Sequence, residues 1–176
     1  MPTIPDYDAP ETLLVSDRGQ LRAMADDVRS AIISLLRERA YSTQQLAREL
    51  DIPKGTVGHH VKVLENAGLI HVVRTRQVRA VTEKFYGRTA KLFLYEAEDP
   101  ADARAVGATM LRRAANESER SPEASGFGQS RASLTEADAA RFERRLKRLQ
   151  QDFRAAETPD GVPYALVTGM YVRPDA

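Results

Sequence analysis

Two stretches of apolar residues at helical spacing follow each other closely between residues 43 and 67. The apolar positions of the first are Leu46, Ala47 and Leu50, and those of the second are Val57, Val61 and Leu64. Positions that recur every three or four residues lie on one face of a helix. The pattern therefore predicts two short amphipathic helices, each with one buried face.

Residues that begin and end helices stand at both borders of this pair. Ser42 or Thr43 can cap the first helix with its hydroxyl, and Pro53 suits the start of the second. Gly68 follows the second stretch, where a helix stop commonly carries glycine. The turn between the two helices is thus predicted around residues 51–53.

The outward face of the second helix is polar and partly basic. Projected at about 100° per residue, it carries Gly55, Gly58, His59, Lys62 and Asn66, flanked by Thr56 and Val63. Glycine inside a helix is unfavourable by about 1 kcal/mol relative to alanine. Two glycines on this face indicate that something large comes close to the backbone.

Two β-branched runs, residues 69–75 and 78–87, follow the helix pair directly. Arg76 and Gln77 separate them, which predicts a β-hairpin with its turn at these two residues. Its predicted tip gathers Arg74, Arg76 and Arg79. A helix pair followed by such a hairpin is the winged helix-turn-helix plan.

At this point the chain resembles the bacterial ArsR-like family of transcriptional regulators. The resemblance rests on the spacing of residues 46–70, the HHVKVLENAGL core at 59–69 and the EKFYGRTA run at 83–90. Upstream, LRAMADDVRSAIISLLRERA at 21–40 looks like the entry helices of that family. The resemblance to the family covers residues 15–95 and implies a winged helix-turn-helix that binds double-stranded DNA.

Recognition helix 54–67 is then expected in the major groove, and wing 74–79 on the backbone or in the minor groove. The predicted DNA contacts are Ser42, Thr43, Gln44, Lys54, Gly55, Thr56, Gly58, His59, Lys62, Arg74, Arg76 and Arg79. Many ArsR-like proteins sense metals through cysteines on the helix before the recognition helix. Residues 43–50 contain none, so we predict neither a metal site nor a cofactor.

The charge distribution agrees with a nucleic-acid partner. The whole chain carries a net charge of only +1, but residues 54–91 contain eight basic residues against two acidic ones. Residues 1–53 hold six arginines against nine acids. The positive charge is therefore concentrated on the predicted helix and wing, where phosphate contacts would supply affinity.

Composition argues against catalysis. The chain has no cysteine, and its three histidines lie within the predicted helix and hairpin. His59 and His60 are adjacent, so their rings diverge by about 100° and cannot share a metal as an i, i+4 pair would. No phosphate loop or nucleophile elbow is present, so we predict that the protein is not an enzyme.

The remaining N-terminal and central segments have weaker patterns. Residues 1–14 are predicted to form a loose arm without a secretory signal, and no run reaches the length of a membrane span, so a cytoplasmic protein is expected. Residues 91–95 are β-prone and favour a continuation of the second hairpin strand. A helix is predicted from Pro100, followed by a flexible connection at residues 116–133.

A charged helix with an apolar seam is predicted over residues 133–157. The seam positions, spaced three and four alternately, are Ala139, Phe142, Leu146, Leu149, Phe153 and Ala156. This heptad spacing favours a homodimer held by Phe142, Leu146, Leu149 and Phe153, although packing on the chain's own domain would use the same spacing. Residues 162–173 are predicted as a terminal strand that pairs with residues 92–95 or with a symmetry mate.

The predicted fold class is mainly α with a small β-hairpin wing: a winged helix-turn-helix domain at 15–97 and a helical C-terminal dimerisation or effector region with a terminal strand at 98–176. The predicted function is a homodimeric DNA-binding regulator that acts as a repressor. Whether a small-molecule effector also binds is left open by the sequence. The alternative is a winged-helix module that binds a protein instead of specific DNA.

Overall fold

Helices and short strands alternate along the chain in a computed structural model that describes residues 5–78, 81–122, 128–158, 161–162 and 164–173. The elements are β1 (Thr12–Val15), α1 (Arg18–Met24), α2 (Asp27–Leu35), β2 (Tyr41–Ser42), α3 (Thr43–Leu50), α4 (Lys54–Asn66), β3 (Ile70–Val78), β4 (Val81–Arg88), β5 (Leu92–Tyr95), α5 (Pro100–Ser118) and α6 (Glu136–Ala155). The predicted class, mainly helical with a small antiparallel hairpin, is confirmed.

Local capping accounts for the borders of α3 and α4. The Ser42 hydroxyl accepts a hydrogen bond from the Gln45 amide at 3.4 Å, and the Gln45 side chain accepts one from the Ser42 amide at 2.9 Å. This reciprocal pair satisfies two amides that a helix start otherwise leaves unpaired. Helix α4 begins after Pro53, and Gly68 ends it with a φ of 69°. The predicted caps at Ser42 and Gly68 are confirmed.

The predicted inner faces of the helix pair form the core. Leu46 of α3 and the three apolar positions of α4 are buried, namely Val57, Val61 and Leu64. They pack with Ile32 and Leu36 at the end of the entry helices and with Leu69 and Ile70 at the start of β3. Burying each such side chain contributes about 1.5–3 kcal/mol, so this core fixes the position of α4.

The hairpin has a different register from the predicted one. Strand β3 continues to Val78 and β4 begins at Val81, with Arg76 paired with Glu83 and Gln77 with Thr82. Arg76 and Gln77 are therefore strand residues, and the prediction of a turn at these two positions is wrong. The short strand β2 adds to the outer edge of β4, which gives a three-stranded sheet in the order β2-β4-β3.

The N-terminal segment is docked, contrary to the predicted loose arm. Strand β1 pairs in parallel with β5, and the register places Thr12 opposite Leu92 and Val15 opposite Tyr95. Strand β5 therefore belongs to a separate two-stranded sheet and does not continue the hairpin. The prediction that residues 91–95 extend the second hairpin strand is wrong, because β5 pairs with the N-terminal strand β1 instead.

Two compact units divide the described residues, those up to Arg113 and those from Ala114 onward. The first contains both sheets, the helix pair and most of α5, whereas the sequence placed the domain border at residues 97 and 98. Within the first unit, Asp102 holds α5 against α1 through ion pairs with Arg18 at 3.2 Å and Arg22 at 3.8 Å.

The second unit consists of the end of α5, the helix α6 and the segments around it. None of its described residues is buried, so the described part of this unit has no core of its own. The predicted terminal strand is absent, because residues 164–173 have no regular secondary structure. This segment runs beside α6, where the Gln150 side chain donates to the Thr168 hydroxyl at 2.6 Å. No helix within the described ranges is long and apolar enough to cross a membrane.

Candidate nucleic-acid interface

Helix α4 presents a polar face opposite its buried apolar one. Lys54, Gly55, Thr56, His59 and Lys62 are exposed, and Gly58 is half-buried. A Cβ built on Gly55 meets no atom within 4 Å, whereas one on Gly58 would lie 3.8 Å from the Thr43 side chain. Gly58 therefore faces the start of α3, and Gly55 is the position in α4 where an incoming surface would meet open backbone.

The start of α3 contributes less surface than the sequence predicts. Ser42 is only 1% exposed, and its hydroxyl is engaged by the Gln45 amide and the Glu83 side chain. Ser42 therefore caps α3 and is not accessible to a phosphate, which corrects its predicted role as a phosphate contact. Thr43 is half-buried and Gln44 is exposed in the first turn of α3, so both remain candidates.

The wing carries two arginines side by side on β3. Arg74 and Arg76 both place their guanidinium groups over the buried ring of Phe85, at 5.1 and 5.5 Å from its centroid. Their side chains are 45% and 65% exposed. They lie along the strand and not at its end, which corrects the predicted position at the hairpin tip. Arg79, the third predicted wing contact, lies outside the described residues.

Carboxylates already neutralise both of these arginines. Arg74 forms an ion pair with Asp6 at 2.9 Å, and Arg76 forms one with Glu83 at 2.7 Å. Hydrogen bonding to Ser42 and then to Arg76, with a smaller contribution from the charge of Lys54, holds the pKa of Glu83 below its usual range. Glu83 therefore links the start of α3, the start of α4 and the wing.

The positive surplus counted in the sequence is only partly on the surface. Arg88 is buried, with its guanidinium 4.4 Å from the centroid of the Phe93 ring, and Lys91 pairs with Glu11 at 2.6 Å. Lys54, Lys62 and Lys84 are exposed and form no ion pair with any residue the structure describes. Among these residues, the unneutralised charge is thus concentrated on α4 and on β4, the central strand of the sheet.

His60 bridges the polar face and the entry helices. Its side chain is half-buried, and its Nδ1 lies 3.7 Å from Oδ1 of Asp26, which caps α2. The rings of His59 and His60 lie 5.7 Å apart at 69° to each other. Within the described ranges, no three histidine, aspartate or glutamate residues are grouped to hold a metal ion.

Sequence reasoning missed the N-terminal residues that reach the wing. The Asp6 carboxylate accepts a hydrogen bond from the Ala40 amide at 2.6 Å as well as pairing with Arg74. The Tyr7 hydroxyl donates to the Leu36 carbonyl and accepts from the Arg88 amide at 2.9 Å. Contacts between residues this far apart leave no periodic signal in a single sequence. The shared orientation of Glu83 and Phe85 on β4, in contrast, can be deduced from the sequence, because residues i and i+2 of a strand lie on one face.

The apolar seam of α6 is partly open to solvent in the single chain. Phe142 and Leu146 are half-buried, whereas Leu149 and Phe153 are 49% and 42% exposed. Arg141 and Arg145 place their guanidinium groups 5.7 and 5.5 Å from the Phe142 ring centroid. The helix therefore has an apolar face that its own unit covers only in part, and its C-terminal half is the more exposed.

Comparison with known proteins identifies the central part of the chain. Residues 24–73 match the model of a family described as a helix-turn-helix domain. No curated protein matches the chain. The matched residues include the entry helix α2, both helices of the pair and the first residues of β3.

Several solved structures are similar to part of the chain. HlyU from Vibrio cholerae is 20% identical, with 55% of this chain and 84% of that chain covered and a TM-score of 0.35. The transcriptional repressor BigR from Xylella fastidiosa is 25% identical, with coverages of 55% and 82% and a TM-score of 0.34. A homodimeric winged helix-turn-helix DNA-binding domain from Mycobacterium bovis is 15% identical, with coverages of 60% and 82% and a TM-score of 0.33.

The family match and the geometry agree on the same residues. Helices α3 and α4 are the helix pair of the matched domain, and the β3–β4 hairpin follows them directly. The chain therefore contains a helix-turn-helix domain, and its hairpin gives that domain the winged form that the resemblance to ArsR-like regulators predicted.

Proposed function

We propose that this protein is a DNA-binding transcriptional regulator that inserts α4 into the major groove. The observation that carries the proposal is the outer face of α4, where Lys54, Thr56, His59 and Lys62 are exposed opposite a fully buried apolar face. A helix held rigidly by its apolar side can present such residues to base edges and phosphates. The wing arginines and the start of α3 supply further backbone contacts.

We propose further that the protein represses transcription. A protein bound to promoter DNA blocks transcription without any further contact, whereas an activator must also contact the transcription machinery. The functional assignment of residues 15–97 to DNA binding and 98–176 to assembly or effector sensing belongs to the same proposal. A winged-helix module that binds a protein is the alternative, and binding to duplex DNA separates the two.

The first test is the charge of Lys62. We expect Lys62→Ala to weaken binding to all duplexes alike and to reduce the salt slope of log K by about one unit, because one phosphate contact is lost. Binding is measured by fluorescence anisotropy at several salt concentrations, with DNA from the region upstream of the protein's own gene and a mixed-sequence duplex.

Lys147→Ala is the matched control, since Lys147 is an exposed lysine on α6 in the other unit. An unchanged affinity and salt slope for Lys62→Ala would show that the outer face of α4 does not meet DNA. If the unaltered protein binds no duplex even at low salt, the protein-binding alternative replaces the proposal.

Gly55 provides a second test, in which stability and binding move in opposite directions. A methyl group at this position meets nothing in the free protein, and alanine is favoured over glycine inside a helix by about 1 kcal/mol. We therefore expect Gly55→Ala to raise the unfolding temperature and to weaken DNA binding, because the methyl group meets the DNA. Thermal unfolding and anisotropy measure the two effects.

Gly107→Ala in α5 is the control for Gly55, because its added methyl group also meets no atom within 4 Å. It is expected to stabilise the protein to a similar degree and to leave DNA binding unchanged. Tighter or equal DNA binding by Gly55→Ala would contradict a close approach of DNA to the backbone at this position.

We also propose that the protein acts as a homodimer held by the α6 seam. The second unit buries none of its described residues, and the seam Phe142, Leu146, Leu149 and Phe153 forms an apolar face along its helix α6. Burying each of these side chains against a second copy would contribute about 1.5–3 kcal/mol before the cost of association. A two-fold dimer could place two recognition helices about 34 Å apart, one helical turn of DNA.

A further inference from the structure

The N-terminal segment holds a carboxylate against the wing. Oδ2 of Asp6 lies 2.9 Å from Nη1 of Arg74, and Oδ1 accepts a hydrogen bond from the Ala40 amide at 2.6 Å. The side chains of Asp6 and Arg74 are 43% and 45% exposed. The pair is thus accessible to solvent on the same strand face that carries the proposed wing contacts.

Asp6 is fixed by its neighbour and is not a freely moving surface group. The Tyr7 ring packs against Gly87, and the Tyr7 hydroxyl bonds to the Leu36 carbonyl and the Arg88 amide. Three residues after Tyr7, the segment is held further by backbone hydrogen bonds: the Lys91 amide donates to the Pro10 carbonyl and the Leu92 amide to the Glu11 carbonyl, both at 2.9 Å. These contacts keep the carboxylate beside Arg74.

We propose that Asp6 is an internal competitor of the DNA backbone: in the free protein its carboxylate occupies Arg74, and a DNA phosphate replaces it there when the wing binds. This inference rests on the proposed DNA-binding function. A phosphate and a carboxylate on one guanidinium repel each other, so Asp6 lowers the affinity that Arg74 would otherwise supply. Asp6 is then a residue that sets the affinity of the regulator without contacting DNA.

Two features make the exchange physically reasonable. When Arg74 turns to a phosphate, Asp6 keeps the hydrogen bond from the Ala40 amide and is not left without a partner. Burial alone would raise the pKa of Asp6, but the Ala40 amide and the Arg74 guanidinium together hold that pKa below its ordinary value. The competing group therefore carries its charge at neutral pH.

The test compares Asp6→Asn with Asp8→Asn in the full-length chain. Asparagine at position 6 keeps an oxygen for the Ala40 amide and loses the charge, while Asp8 is an exposed acid two residues away with no ion pair to any described residue. Affinity for a mixed-sequence DNA duplex is measured by anisotropy, because phosphate contacts do not depend on sequence. Thermal unfolding of each variant verifies that the fold is retained.

We expect Asp6→Asn to raise the affinity about fivefold, because it removes a negative charge in contact with Arg74. The salt slope should become steeper by up to about one unit, because no carboxylate is then freed to take up a cation when the phosphate binds Arg74. Asp8→Asn should change the affinity by about twofold or less, since solvent and salt screen its charge. In an Arg74→Ala background, the advantage of Asp6→Asn over Asp8→Asn should disappear.

Three outcomes would overturn the inference. Equal effects of the two asparagine variants would show a general charge effect only. Weaker binding by a folded Asp6→Asn variant would show that Asp6 positions Arg74 for DNA instead of competing for it. An advantage of Asp6→Asn that persists in the Arg74→Ala background would remove Arg74 from the mechanism. Failure of the unaltered protein to bind any duplex is distinct from these, because it overturns the proposed function itself.

Discussion

Replacing Leu146 and Leu149 by aspartate is expected to give a monomer whose operator affinity is lower by about a hundredfold or more, because the second half-site no longer binds within the same complex. Both residues lie on the apolar seam of α6. Leu146 is half-buried and Leu149 is 49% exposed, so in the proposed dimer a second copy would complete their burial. Each copy would bring two carboxylates into such an interface, and burying them would be strongly unfavourable. Sedimentation velocity measures the assembly, and anisotropy measures the binding.

The double variant has a matched control on the same helix. Gln151 is exposed on α6 outside the seam, so Gln151→Asp should leave both assembly and DNA binding unchanged. The first unit should remain folded in both proteins because its core does not include α6. A dimer observed with the Leu146 and Leu149 double variant would exclude the seam from the interface, and the contact would then be sought among the entry helices.

Adding a single methyl group at Gly87 is expected to lower the free energy of unfolding by about 3 kcal/mol, at the upper end of the usual cost of overpacking. A Cβ at this position would lie 2.7 and 2.8 Å from Cε2 and Cζ of Tyr7 and 2.8 Å from Cγ1 of Val73. The Tyr7 ring cannot turn away without losing its hydrogen bonds to Leu36 and Arg88. Chemical denaturation of Gly87→Ala measures the loss.

The origin of that loss can be tested by removing the ring. In a Tyr7→Ala background the same change at Gly87 should cost about half as much, since only the contact with Val73 remains. Gly107→Ala, in open space on α5, should cause no loss. A cost at Gly87 that is the same with and without Tyr7 would mean that the N-terminal segment does not pack on the hairpin.

The helix pair was predictable from the sequence because the forces that define it are local. The capping pair Ser42 and Gln45 is three residues apart, and the turn signals at Pro53 and Gly68 act on their immediate neighbours. The buried stripe of α4 follows from helical spacing alone. The same spacing also predicted its exposed face.

The hairpin register and the N-terminal docking were not predictable for the opposite reason. Shifting the turn leaves β-branched residues on both strands, and the sequence around Arg76 has no Asn-Gly or similar dipeptide to place it. The contacts of Tyr7 with Leu36 and Arg88 join residues 29 and 81 positions apart. The apolar residues near the end of the chain predicted a strand, but a strand requires a partner, and the described segment 164–173 pairs with none.

The parallel pairing of β1 with β5 has a consequence for the order of events on the ribosome. The partners are about 80 residues apart, so at translation rates of about 5–20 residues per second β1 waits on the order of ten seconds for β5 to be made. Helices α3 and α4 depend on near neighbours and can form during this interval. Strand β1 therefore pairs only after β5 has been made, and the nascent helix pair and hairpin can assemble before the N-terminal segment packs on them.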